Sequence, residues 1–347
     1  MSWLGSQARR ARSHRLAVVE RHPRPAHPEL VITAEDEAYL TAPYDPTVPL
    51  PDSAEALRAT TPRLAELRDR YASLDLPPLS ASRWRPDAVD AFLDHRYFRG
   101  DSLITWHYRE LPRATRLKYF IYAQYVRGRD HLGLLDRLTE DGAFGCWTFD
   151  YPGHARYSRD LIESVNELLF LERELGVAER EQLSVLDIGA GYGRLAHRMT
   201  AAFPNIADYC CVDAVPESTA LCEYYLDHRG CAPPARALAL DELDGNLAPG
   251  AFDLAVNVHS FPECTYAAVS WWLELIASLD VPHLLIVPNE PGRLTTLEPD
   301  GSHRDFSQAI ARAGYAPARV EPVIADPAVA ELVRVADEFH LFRRTGA

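Results

Sequence analysis

Glycines recur at every second position after a short apolar stretch in the middle of the chain. Residues 185–188 are followed by Gly189, Gly191 and Gly193, a pattern typical of a buried strand that enters a turn and then a helix. Glycine permits positive φ in such a turn and lets the backbone approach a ligand closely. A dinucleotide-binding turn would place its third glycine where this chain has Arg194. The pattern therefore indicates a nucleoside-cofactor site rather than a dinucleotide site.

A second apolar stretch, 208–213, ends in a carboxylate. Asp213 lies about 20 residues beyond Gly193, the separation at which a carboxylate accepts hydrogen bonds from the ribose hydroxyls of a bound nucleoside. Pro216 at the start of the following helix and Gly230 after its end are ordinary helix boundaries. Strand and helix therefore alternate through this region.

The G-x-G-x-G spacing resembles the first motif of class I S-adenosylmethionine (SAM)-dependent methyltransferases, whose cofactor has an amino acid tail and no phosphates. The resemblance implies SAM as cofactor. It also implies that Asp241, which ends a third strand near 235–240, accepts the adenine amino group; a solvated turn carboxylate is the alternative. The predicted cofactor contacts are Asp187, Gly189, Ala190, Gly191, Gly193, Asp213, Ala214, Asp241, Asn257, Tyr157 and Arg159.

A long amphipathic helix is predicted directly before the glycine turn. Ser158 is a good N-cap, Gly176 closes the helix, and leucines between them recur every three or four residues. If this helix packs at the cofactor edge of the sheet, Tyr157 and Arg159 reach the methionine carboxylate of the cofactor. Capping and surface charge are the alternatives for these two residues.

Three side chains that could move a proton follow two further predicted strands. His259 and Glu263 come after the fourth strand, 252–257, and Glu290 comes after the fifth, 283–287. Ligands of open α/β sheets bind beyond the carboxyl ends of the strands. An imidazole titrates near neutrality, so His259 is predicted as the general base, with Glu290 as its substitute or orienting partner and Glu263 as the third candidate. No spacing demands a metal, and none is predicted.

Several segments together resemble the sugar O-methyltransferases of bacterial glycoside and polysaccharide pathways: 157–161 with 164–167, 188–195, 257–263 and 288–290. The likeness covers about residues 95–345. It implies methyl transfer from SAM to a hydroxyl of a sugar or glycosylated metabolite, by in-line displacement with general-base assistance. The alternatives are a SAM-dependent O- or N-methyltransferase of a non-sugar natural-product scaffold, and a SAM-binding interaction protein without catalysis.

The elements that position these residues form an α/β pattern. Near-continuous apolar strands flanked by helices indicate a parallel sheet covered on both faces, and two last strands are predicted at 318–324 and 338–343. The predicted fold is a Rossmann-like, seven-stranded class I methyltransferase sheet with an N-terminal helical cap region. We divide the chain into an extended arm (1–52), a helical cap that binds the acceptor (53–176) and a SAM-binding catalytic domain (177–347).

Composition narrows the possible partners. The chain of 347 residues carries a formal net charge of −14, which argues against nucleic acid or an anionic membrane as the main partner. No apolar stretch is long enough to span a membrane. Six cysteines without C-x-x-C spacing fit a reduced, cytoplasmic location. A small-molecule acceptor is therefore the expected partner, and the oligomeric state is not predicted.

Overall fold

The computed structural model describes residues 50–57, 61–80, 83–84, 95–99, 113–289 and 293–346, with the single residues 34 and 38. Most of the predicted arm therefore lies outside the described residues. The central sheet has seven strands: β1 (Leu183–Ile188), β2 (Ile206–Val212), β3 (Ala235–Leu238), β4 (Leu254–Val258), β5 (His283–Val287), β6 (Tyr315–Pro322) and β7 (Glu338–Arg344).

The strand order is β3-β2-β1-β4-β5-β7-β6. All neighbouring pairs from β3 to β5 are parallel, and β7 is antiparallel to both β5 and β6. This arrangement confirms the predicted Rossmann-like, seven-stranded class I methyltransferase sheet. Because β7 alone runs in the opposite direction, its first residues lie at the edge where the other strands have their carboxyl ends.

Eight α-helices of more than one turn surround this sheet in the described residues: α1 (Pro62–Ala72), α2 (Arg113–Arg127), α3 (Arg159–Leu175), α4 (Arg194–Ala202), α5 (Pro216–His228), α6 (Tyr266–Ser278), α7 (Ser307–Arg312) and α8 (Pro327–Val333). A further single turn spans Leu134–Arg137, and Thr148–Phe149 pairs with Tyr157–Ser158 in a short antiparallel ribbon. None of the described helices combines the length and apolar composition needed to cross a membrane.

Helix α3 has the predicted ends. The Ser158 side chain accepts the N–H of Leu161 at 3.1 Å, and Gly176 ends the helix in a left-handed conformation with φ 59°. The buried face of α3 places Leu161, Val165 and Leu168 in the same apolar cluster as β1 and α4. Glycine adopts this left-handed conformation without the conformational cost that a Cβ imposes.

Both faces of the sheet are covered, and each cover includes residues from the predicted cap. One apolar cluster joins α2 and α3 to α4 and the sheet, and a second joins α1 and α6 to the opposite face. Apolar contacts therefore cross the predicted boundary between residues 176 and 177. The division of the chain into domains stays a prediction.

Candidate functional site

The glycine turn follows β1 with three left-handed residues, since φ is 71° at Gly189, 58° at Gly191 and 83° at Gly193. A Cβ on Gly189 would lie 2.1 Å from Ser260 Oγ, and a Cβ on Gly193 would lie 2.9 Å from Cys222 Sγ. A Cβ on Gly191 would meet no atom of the described residues within 4 Å. Packing therefore requires the outer two glycines, and the middle one is where the turn leaves space for a ligand.

Asp213 lies at the end of β2, beside the glycine turn. Its carboxylate accepts the N–H of Gly191 and the N–H of Val215, each at 2.9 Å. A carboxylate has about four acceptor positions, so Asp213 keeps acceptor capacity suited to a ribose diol. Burial raises the pKa of Asp213 to about 6, although backbone hydrogen bonds oppose this shift. Ala214, the next predicted contact, is half-buried.

Asp187 is buried near the end of β1 and accepts the hydroxyl of Tyr209 at 2.9 Å. Burial raises the pKa of Asp187 to about 7, and the Tyr209 hydrogen bond only partly opposes this rise. Ala190, between two of the glycines, is half-buried and donates its N–H to Val212 O at 3.3 Å. The turn is thus tied to β2 through its backbone.

Asp241 follows β3, and a helix from the N-terminal region engages it. Arg70 of α1 donates from Nε to Oδ2 at 2.8 Å and from Nη2 to Oδ1 at 2.7 Å. The same Nη2 also donates to Glu242 at 2.8 Å. Asp241 is therefore an exposed carboxylate that is ion-paired with Arg70, and its contact with adenine stays a prediction.

His259 directly follows β4 in a left-handed conformation, with φ 65°, which is uncommon for a residue other than glycine. Its N–H donates to Val287 O at 2.8 Å, so the turn is held against the end of β5. The imidazole lines a small, partly open cavity with room for about one water molecule. The other lining residues are Tyr122, Glu163, Glu167, Val287, Val323, Val335, Asp337 and Phe339.

The ionisable partner of His259 is Asp337, which comes just before β7. The His259 Nε2 lies 3.4 Å from the Asp337 carboxylate. Burial would lower the pKa of His259, but hydrogen bonding to Asp337 and the charges of Glu163, Asp337 and Glu167 together raise it. Asp337 was not predictable from the sequence, because only the reversed direction of β7 brings it to this edge.

The two glutamates of the cavity are paired with arginines. Glu163 accepts Nε of Arg159 at 2.6 Å, and Glu167 accepts both terminal nitrogens of Arg194 at 2.9 Å. Burial raises the pKa of Glu167, and Arg194 only partly opposes this rise. Arg194 therefore links the start of α4, directly after the glycine turn, to the cavity that contains His259.

Asn257 joins the ends of two neighbouring strands by hydrogen bonds within the protein. It is fully buried, donates Nδ2 to Ile188 O at 2.7 Å and accepts the N–H of Phe261 at 2.9 Å through Oδ1. These bonds fix the turn after β4 against the end of β1. Its predicted contact with the cofactor remains a prediction.

The remaining acidic candidates do not join His259 in the described residues. Glu263 accepts hydrogen bonds from Trp84 and Asn289 and forms an ion pair with Arg83 at 3.2 Å, and it does not line the cavity. Glu290 lies outside the described residues. Within the described ranges, no three or more His, Cys, Asp or Glu side chains form a group that could hold a metal.

Tyr157 and Arg159 stand on either side of the N-cap of α3. Tyr157 is only 2% exposed, and its ring lies against Phe149 and Tyr151. Arg159 is partly exposed and pairs with Glu163 near the cavity. Of the two residues, Arg159 is the one that the structure brings near the cavity of His259, and both contacts with the cofactor stay predictions.

A buried charge network, which the sequence did not reveal, supports the glycine turn. Asp160 accepts both Nε of Arg198 at 3.0 Å and the hydroxyl of Tyr192, a residue of the turn. Glu140 accepts Arg198 at 2.6 Å and Arg99 at 2.8 Å. Opposite charges at these buried positions hold the cap segments, α3 and α4 together.

No protein-family model matches the chain. Among curated proteins, it is 30% identical over 128 residues to a malonyl-[acyl-carrier protein] O-methyltransferase of Geobacter sulfurreducens. The aligned part covers 37% of this chain and 44% of that protein, so the chain matches less than half the length of this curated relative. The similarity is therefore partial.

Solved structures with a similar arrangement are distant in sequence. The [4+2]-cyclase SpnF is 15% identical with a TM-score of 0.42, over 65% of this chain and 97% of that one. An S-adenosylmethionine-dependent methyltransferase from Mesorhizobium loti is 17% identical with a TM-score of 0.37, over 52% and 98% of the two chains. Magnesium protoporphyrin IX methyltransferase from Synechocystis is 13% identical with a TM-score of 0.39, over 54% and 83%. Likenesses this distant carry no argument about activity.

Proposed function

We propose that this chain is a SAM-dependent methyltransferase, with SAM bound where β1 and β2 end. The observation that carries the proposal is the contact between the glycine turn and Asp213, which accepts the N–H of Gly191 and keeps acceptor capacity for a ribose diol. The space beside Gly191 supports it, because a ligand can approach the backbone there. The partial similarity to a malonyl-[acyl-carrier protein] O-methyltransferase supports the same class of reaction.

The acceptor that we propose is a hydroxyl of a sugar or glycosylated metabolite, as the resemblance to sugar O-methyltransferases implies. SAM supplies an electrophilic methyl group, and the protein contributes alignment and exclusion of water. Acidic side chains beside His259, namely Glu163, Glu167 and Asp337, support an acceptor that carries hydroxyl groups. Carboxylate oxygens accept hydrogen bonds from several hydroxyls at once.

His259 is the residue that we assign as general base. A sugar hydroxyl is weakly acidic, so a base that takes its proton accelerates transfer. When Nε2 donates toward Asp337, Nδ1 is the nitrogen that receives the proton of the acceptor. The charges of Glu163 and Asp337 then stabilise the imidazolium that forms.

The proposed role of His259 as general base is tested with the substitution His259→Gln. We expect turnover to fall about 100- to 10,000-fold, while the Kd for SAM changes less than about twofold because the imidazole lies at the acceptor cavity. Transfer of labelled methyl to a panel of glycosides and calorimetry with SAM measure the two quantities separately. The matched control is His131→Gln, an exposed histidine outside the cavity. Unchanged turnover in His259→Gln would remove it from this role.

The cofactor site is tested with Asp213→Ala. Loss of a charged acceptor for the ribose hydroxyls should raise the Kd for SAM roughly ten- to hundredfold, measured by calorimetry. Asp208→Ala is the control, because Asp208 lies near the start of the same strand and pairs with Arg236 at 3.0 Å. Equal affinities for the two variants would show that SAM does not use the end of β2.

A non-sugar acceptor is the second candidate. The rings of Tyr122 and Phe339 and the side chain of Val287 also lie beside His259, and such side chains favour contact with a partly apolar scaffold. The same transfer assay distinguishes the two, since methylation of aromatic or peptide scaffolds without methylation of any glycoside would favour this alternative. SAM binding without transfer to either class would favour a non-catalytic SAM-binding protein.

A further inference from the structure

Helix α1 covers a part of the sheet that a helix between β3 and β4 would ordinarily cover. The chain between these strands contains only the 3-10 turn Leu240–Glu242, although parallel strands are usually joined by a crossover helix. Leu67 and Tyr71 of α1, at 0% and 3% exposure, are buried instead. They lie in the apolar cluster that includes Ile188, Val212 and Leu238.

The hydroxyl of Tyr71 joins the ends of β2 and β3. It donates to Asp213 O at 3.2 Å, accepts the N–H of Leu240 at 2.9 Å and lies 2.8 Å from Thr219 Oγ1. A phenol has one proton and two lone pairs, so these three partners use its full hydrogen-bonding capacity. Each partner belongs to a different element, namely the end of β2, the turn after β3 and the first turns of α5.

The neighbouring residue, Arg70, holds the side chain at the end of β3. Its guanidinium engages both oxygens of Asp241, at 2.8 and 2.7 Å. Two further ion pairs attach α1 to α5, between Arg63 and Glu223 at 2.6 Å and between Arg68 and Glu217 at 2.7 Å. The last turn of α1 is therefore fixed against the edge where the adenosine of the cofactor is expected.

We propose that α1 shapes the adenine end of the cofactor site, with Tyr71 as the positioning residue. Its hydroxyl sets the separation between Asp213 and Leu240, and Arg70 fixes the position of the Asp241 carboxylate after β3. This inference rests on the proposed function, because α1 has no part in cofactor recognition if SAM does not bind where β1 and β2 end. It adds to that function a recognition element from outside the predicted catalytic domain.

The first test is Tyr71→Phe, which removes one oxygen and keeps the ring in the apolar cluster. We expect the Kd for S-adenosylhomocysteine to rise roughly three- to tenfold by calorimetry, with turnover at saturating SAM nearly unchanged. The matched control is Tyr224→Phe, since Tyr224 on α5 also bonds the N-terminal region, through Ser53 at 2.6 Å. Tyr224→Phe should bind S-adenosylhomocysteine with the same Kd as the wild-type chain.

Each other outcome of this test is decisive. A lower Tm with an unchanged Kd would make Tyr71 merely structural and overturn the inference. Tighter binding would show that α1 obstructs the site and would also overturn it. No binding by the wild-type chain would overturn the proposed function itself, so the two failures are distinguishable.

A second variant keeps the inference testable if Tyr71→Phe does not fold. Arg70→Gln alters a partly exposed side chain and releases Asp241 from its ion pair. We expect the wild-type chain to bind S-adenosylhomocysteine more tightly than S-inosylhomocysteine, which lacks the amino group, and Arg70→Gln to reduce this preference roughly threefold or more. An unchanged preference would overturn the role of α1 in adenine recognition.

Discussion

At the scale of single residues, His259 combines a strained backbone with a perturbed titration. A left-handed conformation costs a non-glycine residue about 1–2 kcal/mol, and here the bond from its N–H to Val287 O holds it in place. Such strain is concentrated at functional sites, where it directs a side chain. The turn directs this imidazole toward Asp337 and a cavity that Glu163 and Glu167 also line, and these carboxylates help to hold the pKa of His259 above its ordinary value.

Asp337→Asn should shift the pH dependence of turnover. His259 must be neutral to accept a proton, so kcat should rise with pH through a pKa above the ordinary histidine value, because Asp337 and Glu163 favour the imidazolium. Removing the Asp337 charge lowers that pKa and moves the midpoint of the acidic limb to lower pH. The opposing cations, Arg159 and Arg194, are paired with Glu163 and Glu167 and remain in the variant.

The measurement is a pH profile of kcat at saturating SAM and acceptor. Glu338→Gln serves as control, since Glu338 is the neighbouring acid and pairs with His340 at 3.3 Å rather than with His259. An acidic limb that stays at the same midpoint in Asp337→Asn would exclude His259 as the titrating base.

The predictability of these residues from the sequence depends on how they reach the edge of the sheet. His259 and Asp213 directly follow apolar strands, so a parallel sheet places both at one edge before any coordinates are known. Asp337 precedes its strand, and only the antiparallel pairing of β7 with β5 brings it there. Glu263 follows a strand as His259 does, yet its partners are Trp84 and Asn289.

At the scale of elements, the glycine turn also allows α4 and α5 to pack closely. Gly193 precedes α4, and its α-carbon faces Cys222 and Leu226 on α5 at distances that leave no room for a side chain. A sequence motif attributed to ligand approach is therefore partly a requirement of helix packing. The two requirements, ligand approach and helix packing, fall on different glycines: a Cβ on Gly193 would meet α5, whereas a Cβ on Gly191 would meet no described atom within 4 Å.

Gly193→Ala should destabilise the fold by roughly 2–4 kcal/mol, the sum of left-handed strain and overpacking against Cys222 Sγ. Guanidinium unfolding measures this loss. Gly230→Ala is the matched control, because Gly230 is also left-handed, with φ 64°, but a Cβ there meets no described atom within 4 Å. Gly230→Ala should reduce the free energy of unfolding by only about 1–2 kcal/mol. Equal reductions in both variants would contradict the packing argument.

Element boundaries were largely readable from the sequence, whereas contacts between distant elements were not. Strand β5 and the ends of α3 follow the prediction because apolar runs, an N-cap serine and a closing glycine are local signals. The start of the predicted helical cap proves to be a 3-10 helix, Asp52–Leu57, and α1. Nothing local in the sequence specified that α1 would pack against α5 and the ends of β2 and β3.

At the scale of the whole molecule, one buried charge network joins the cap to the sheet. Arg99, Glu140, Arg198 and Asp160 have side-chain exposures of 0%, 0%, 2% and 7%. Burial would raise the pKa of Asp160, but the charges of Arg99 and Arg198 hold it far below its ordinary value. The network therefore stabilises the contact between distant chain segments only while its carboxylates are ionised.

Asp160→Asn should reduce the free energy of unfolding at pH 7 by about 3–5 kcal/mol, because it leaves buried guanidinium charges without a full counter-charge. Since the folded-state pKa of Asp160 is depressed, its contribution is fully present above the ordinary value of 3.8 and is lost as pH falls further. Denaturant unfolding at pH 7, 4.5 and 3 should show a constant difference from wild type at the first two values and a smaller one at pH 3. The control is Asp150→Asn, which breaks an exposed ion pair with Arg156. This variant should change the free energy of unfolding by less than about 1 kcal/mol. If both variants lost a similar free energy of unfolding, burial would not set the strength of the network.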